Sequence, residues 1–293
     1  ITITMENILS DVKILRKPEF ETVRYNTKLS FIPSERNLVS VIRNIDQSYR
    51  SAESDVLFNY IFEWGEAKDS YTAEHPKRLS FTDNIEYIND GGNDLVRLIN
   101  ENKMIPAYYA SSGVQSAMPL DVMADYFTGL VGKNASVSKH DLANTLARYL
   151  GKDKELTNEM LKSISNKMKY QSVQLFIEEP EQNLYPDSQR NLTINLVCAL
   201  KQAMPKGRGD SMLVMTTHSP YILSTLNVLI AEAYAMDAKP KSDKLRNIVN
   251  KECLFPLSAY SAYYIQEDGK FADIIDKDIT MISGNELEGV SDW

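Results

Sequence analysis

Two short segments carry the side chains best suited to chemistry. The first is Leu175-Phe176-Ile177-Glu178-Glu179-Pro180-Glu181, an apolar stretch that ends in adjacent carboxylates. Transfer of a phosphoryl group to water needs one carboxylate to position a metal ion and a second to orient the attacking water. Neighbouring residues at a strand tip diverge enough to do both. On this reading Glu178 holds Mg²⁺ through water and Glu179 polarises the nucleophile. Taken alone, the same run suits a solvated acidic turn. The second segment, Leu213-Val214-Met215-Thr216-Thr217-His218-Ser219-Pro220, contains one of the chain's 3 histidines. At a strand tip His218 can donate a hydrogen bond to a terminal phosphate. The plain alternative is a capping Ser219 beside an incidental histidine.

These residues need a scaffold, and the flanking pattern predicts one. Residues 173–177 and 212–216 are continuous apolar runs, the mark of strands buried on both faces of a parallel sheet. Residues 188–204 and 220–236 have helical spacing, with Pro220 suited to a first helical turn. Strand, helix, strand, helix is the signature of an α/β domain, where function collects at the carboxyl ends of the strands. Upstream, residues 23–25 and 29–32 read as strand pieces around a turn at Asn26-Thr27-Lys28. Residues 37–64 have helical spacing, 65–80 read as loop, and 79–98 predict an amphipathic helix interrupted at Asp90-Gly91-Gly92. A short strand over 104–109 leads into Ala110-Ser111-Ser112-Gly113-Val114-Gln115 and a helix over 116–130. Ser138 caps a further, charged helix that runs to about residue 170. Near the end, residues 261–275 predict a hairpin turning at Asp268-Gly269.

The chain has 293 residues, 43% hydrophobic and 25% charged, with a net charge of -8. That balance gives no sign of a generally basic nucleic-acid surface, although the 32 Lys and Arg leave room for a local patch. No apolar run approaches the roughly 20 residues that span a bilayer, and no secretory signal is visible. Only Cys198 and Cys253 are present. A disulfide framework is not expected, which fits a reducing cytoplasm. The first residue is Ile1; either Met5 is the initiator or the chain begins inside a longer protein.

Together, the acidic pair and Thr216-Thr217-His218-Ser219-Pro220, on consecutive predicted strands, resemble the Walker B and switch histidine of ABC-type ATPases. The wording is closest to the SMC/RecF/OLD-like branch of AAA-type proteins, including the Asn183-Leu184-Tyr185-Pro186 step. The resemblance implies an ABC/SMC-type P-loop NTPase head: a mainly parallel sheet flanked by helices, with a helical insertion. Residues 1–103 would be the remainder of an N-terminal lobe plus the insertion, and 104–293 the signature, Walker B and switch lobe. It further implies ATP and Mg²⁺ as cofactors and a homodimer closed around the nucleotide. Ser111, Ser112, Gly113 and Gln115 look like the signature motif that closes on the partner's nucleotide, where Gly113 permits close approach to a phosphate. Arg36, in Pro33-Ser34-Glu35-Arg36, would serve an anion, or equally form a structural ion pair. DNA or an effector protein is the implied downstream target.

The match stops at the phosphate cradle. Gly-x-x-x-x-Gly-Lys-Ser/Thr is not found; Gly132-Lys133 precedes Asn134 and Gly151-Lys152 precedes Asp153. Two accounts stay open: a lobe lying outside this sequence, or a degenerate head that acts as an interaction module. Asp276 and Asp278, which resemble an Asp-x-Asp nuclease pair of some OLD-like proteins, read instead as turn residues after the hairpin.

Overall fold

A computed structural model describes residues 2–4, 13–15, 26–42, 56–133, 169–204, 211–239 and 251–284. In chain order the strands and helices begin with an antiparallel pair, β1 (Thr2–Thr4) and β2 (Lys13–Leu15), followed by β3 (Thr27–Ile32), α1 (Leu38–Val41) and α2 (Val56–Lys68). Next come β4 (Lys77–Arg78), β5 (Ile85–Asp90), β6 (Asn93–Leu98) and β7 (Lys103–Pro106), then α3 (Ser112–Leu130). The second half holds β8 (Ser172–Glu178), α4 (Pro186–Ala203), β9 (Met212–Thr216) and α5 (Pro220–Ala238). Short pairs β10 (Tyr263–Ile265) with β11 (Phe271–Asp273), and β12 (Ile275–Asp276) with β13 (Met281–Ile282), close the described chain.

The architecture is α/β. Its central sheet has 3 strands in the order β3-β8-β9, all parallel and flanked by helices. The middle strand β8 buries Val173, Leu175 and Ile177 almost completely along one face, while Gln174 and Phe176 on the other are half-buried. Strand β3 runs straight through Thr27-Lys28, where a turn was expected. Its polar side chains find partners instead: Thr27 Oγ1 lies 2.6 Å from Ser172 Oγ, and buried Lys28 pairs with Glu63 at 2.6 Å. Ser30 donates to the other oxygen of Glu63 at 2.5 Å, so one carboxylate on α2 satisfies both inward-facing polar groups of the strand.

The predicted helix over 79–98 is not formed. That stretch is a hairpin within a 4-stranded antiparallel sheet, order β4-β5-β6-β7, so the insertion combines helix α2 with a meander. Gly91 and Gly92 at its turn have φ of 58° and 91°, a left-handed pair that glycine adopts without cost and that closes tight hairpins. The expected loop over 65–80 is shorter than predicted, because α2 continues to Lys68.

Helix α3 runs through the main core, burying Met118, Leu120, Met123 and Phe127. It contains Pro119, whose ring nitrogen cannot donate to the carbonyl of Gln115. Ser40 Oγ donates to that carbonyl at 2.9 Å, replacing the missing helical bond. The cysteines correct an expectation. Cys198 on α4 and Cys253 form a disulfide, because residues 251–255 fold back onto α4 and α5 in a small second core with Val197 and Leu229. The hairpin near the end is formed, and Asp276 behaves as a turn residue whose carboxylate accepts from the amides of Asp278 and Ile279. No helix among the described residues is long and apolar enough to cross a membrane. The helix expected after Ser138 and the strand piece 23–25 lie outside the described residues.

Candidate functional site

The carboxyl ends of β3, β8 and β9 sit side by side, with Glu178 in register with Thr216. Glu178 and Glu179 are both half-buried. The side chain of Glu178 accepts from the amide of Ser34 at 3.1 Å. Glu179 has φ of 43°, a left-handed conformation that costs a residue with a Cβ about 1–2 kcal/mol. Its own amide donates to Thr216 O at 2.9 Å. The strand therefore ends in a kink at Glu179.

Arg36 holds that kink from behind. It is fully buried, and four of its five N–H groups are spent on backbone carbonyls. Nε donates to Ser116 O at 2.8 Å, Nη1 to Glu178 O at 2.7 Å and Pro33 O at 3.2 Å, and Nη2 to Glu179 O at 2.7 Å. Burial lowers the guanidinium's pKa, while Tyr60, Glu181, Glu179 and Glu178 push it back up. Where an anion or an ion pair was expected, four of the guanidinium's N–H groups face backbone carbonyls. Tyr60 adds a bond from its hydroxyl to Arg36 O at 2.7 Å.

His218 is exposed at the end of the loop after β9. Its amide donates to Glu181 Oε1 at 2.8 Å, which ties the histidine's backbone to the turn bearing the carboxylates. Ser219 caps α5, accepting from the Tyr221 amide at 3.2 Å and donating to buried Gln189 at 2.5 Å. Gln189 in turn donates to Leu184 O at 2.9 Å. The plain expectation of a capping Ser219 is thus met, and the histidine beside it is also anchored to the acidic turn.

The Ser111-to-Gln115 segment opens α3. Ser111 is its N-cap, accepting from the Val114 amide, and Ser111 and Ser112 are exposed. Gln115 points inward: its amide donates to Tyr108 O at 2.9 Å, so its side chain is committed within the chain. Gly113 has a packing reason to be glycine. A Cβ there would lie 2.7 Å from Asn183 O. Asn183, at φ 60°, also donates from its side chain to Ser116 Oγ at 2.9 Å. The start of α3 is therefore docked directly on the turn that follows the carboxylates.

Contacts thus link Gly113, Ser116, Arg36, Glu178, Glu179 and the His218 loop into one cluster. Ser34, Glu181, Asn183 and Gln189 belong to it and were missed from sequence. Glu181 was the most accessible to inference, as the third acid of Glu178-Glu179-Pro180-Glu181. A cleft of about 250 Å³ lined by Val39, Ser40, Asp90, Asp94 and Tyr108 includes none of the carboxylates or the histidine.

The cluster's chemistry fits a hydrated divalent cation. Among the described residues no three His, Cys, Asp or Glu side chains converge on a point, which excludes an all-protein cage there. Mg²⁺ instead uses one or two carboxylates, waters and substrate phosphates. The acidic turn also keeps two buried acceptors without a protein partner, Glu181 Oε2 and Gln182 Oε1. The Gly-x-x-x-x-Gly-Lys-Ser/Thr pattern that cradles phosphates does not occur in the sequence.

The family model for the AAA ATPase domain matches residues 16–223, a span that includes every residue of this cluster. The chain belongs to the AAA ATPase domain family. General ATPase function follows from that membership. Searches of curated proteins and of solved structures gave no match to this AAA ATPase chain.

Proposed function

We propose that this AAA ATPase domain is an SMC/OLD-like head that hydrolyses ATP and closes on a second copy around the nucleotide. The observation that carries the reading is the kinked tip of β8, which carries two consecutive carboxylates and whose turn is tied by Glu181 to the His218 loop. In this reading Glu178, held by the Ser34 amide, faces the metal side. Bound there, Mg²⁺ would neutralise charge building on the phosphate oxygens. Glu179 orients the attacking water and accepts its proton. His218 donates a hydrogen bond to the terminal phosphate, its backbone set by Glu181. The exposed Ser111 and Ser112, at the amino end of α3, with Gly113 behind them, meet the second copy's nucleotide, where the helix dipole favours anionic oxygens. Gln115 supports that edge from inside. By the resemblance, the closing motion acts in the cytoplasm on DNA or an effector protein.

A second reading, a non-catalytic interaction module, is favoured by the missing cradle alone. The two separate in Mg²⁺-dependent ATP hydrolysis by the purified protein, wild type beside Glu179→Gln. Loss of a water-orienting base should lower turnover by about 10²-fold or more. Equal turnover in both proteins removes Glu179 from its role, and no turnover in either supports the module.

A further inference from the structure

We propose that Arg36 is a positioning residue that fixes the left-handed backbone of Glu179 and locks that setting to the start of α3. The inference rests on the catalytic reading of Glu179, but its structural half stands apart from ATP. Successive carbonyls of a strand point to opposite sides. Here the consecutive carbonyls of Glu178 and Glu179 both accept from one guanidinium, at 2.7 Å each. That convergence requires the chain to turn between them, and Glu179 makes the turn at φ 43°. The fork and the kink therefore select one another. A strained backbone of this kind persists only where its surroundings over-determine it; the other tie is the bond from the Glu179 amide to Thr216 O.

The third edge of the guanidinium reaches elsewhere. Nε donates to Ser116 O in the first turns of α3, next to Gly113 and its contact with Asn183 O. One buried planar group thus spans the helix proposed to face a second copy's nucleotide and the turn that carries this copy's base. All its bonds to that turn go to backbone oxygens, so Arg36 acts on where the Glu179 carboxylate points. Lysine cannot substitute: its three donors radiate from one atom and cannot match a planar fork.

The test is Arg36→Lys in the full-length protein, alone and combined with changes at Glu179. With ATP, kcat should fall about a hundredfold at little-changed KM, the usual result of misplacing a catalytic group. Adding Arg36→Lys to Glu179→Gln should then cost almost nothing more, because both changes act through one side chain. An undiminished kcat, or full additivity, overturns the proposal. Without nucleotide, amide hydrogen exchange in Arg36→Lys should quicken together over residues 112–120 and 176–184 and stay unchanged over 85–98. Uniform quickening, or none, overturns the link. Should Arg36→Lys fold poorly, Glu179→Gly supplies the control, because glycine holds positive φ without strain. Losing the fork lets a strained Glu179 relax, whereas glycine has no strain to recover, so Arg36→Lys must lower the thermal midpoint more in the Glu179→Gly background, and an equal or smaller loss there refutes the proposal. A wild type that turns over no ATP would defeat the catalytic reading, yet the exchange and midpoint results would still judge Arg36.

Discussion

Helix α3 carries two glycines whose replacement by alanine should have opposite effects. At Gly113 the added Cβ meets Asn183 O at 2.7 Å and Leu184 Cδ2 at 3.5 Å. The nearer atom is backbone, and it cannot retreat freely, since Asn183 is held by Ser116 Oγ at 2.9 Å. Forcing a methyl into such a contact costs about 1–3 kcal/mol. The gain in helix propensity is at most about 1 kcal/mol and is smaller in a first turn. The net loss is about 1–2 kcal/mol, or about 2–4 °C in thermal midpoint for a chain of this size. At Gly129, near the other end of the same helix, the nearest atom is the flexible Lys133 Nζ at 3.9 Å. No clash opposes the propensity gain, so Gly129→Ala should stabilise by about 0.5–1 kcal/mol. Both variants would be unfolded by heat and by urea without nucleotide, which isolates packing from any phosphate contact. If Gly113→Ala matches or exceeds the wild type in stability, the docking of α3 on the acidic turn is wrong.

Two further outcomes follow from buried groups. Asp121 is wholly buried, and burial raises its pKa against the opposing pull of Lys77 and the Ser80 amide. With the folded pKa above the unfolded value of about 3.9, its contribution to stability is full below that value and is lost as pH rises through the folded pKa. Asp121→Asn should therefore gain on the wild type in thermal midpoint between about pH 4 and pH 7; a gap moving the other way would contradict the assignment. For the cysteines, thiol titration of the denatured, unreduced protein should find no free thiol if Cys198 and Cys253 are paired, whereas two reactive thiols per chain would refute the pairing.

How far the sequence could be read depended on whether local pattern or distant contact decided each feature. Strands β8 and β9 were legible from their apolar runs, although β9 is only half-buried and Met212 is exposed. The β5–β6 hairpin was not. Ile85, Tyr87, Ile88, Leu95, Val96 and Leu98 satisfy helical spacing and alternation about equally well, and the Gly91-Gly92 turn was the deciding signal. Lys28 looked like a turn residue until Glu63, 35 positions away, made its burial possible. The positions of the acids and of His218 were readable, since their motif spacing is local. Arg36 was visible as a residue but not as a strut, because its partners are carbonyls, which leave no trace in side-chain identity. The disulfide joins residues 55 apart with nothing distinctive around either.

The sheet topology also has a consequence in time. Strand β3 pairs with β8 across a sequence separation of 145 residues, and long loops must close before such a parallel pair can form. Arg36, Ser116, Glu179 and Thr216 arrive from four distant stretches of chain, so the kinked tip has no local route to assembly. A ribosome that has made everything up to Leu130 has made α3, Arg36 and the meander, but nothing for the guanidinium to grip at the acidic turn. The arginine must wait, buried or not, for β8 to emerge and pair. The kinked tip is therefore among the last features of the domain to form, and a half-made chain cannot yet hold Glu179 in its left-handed setting.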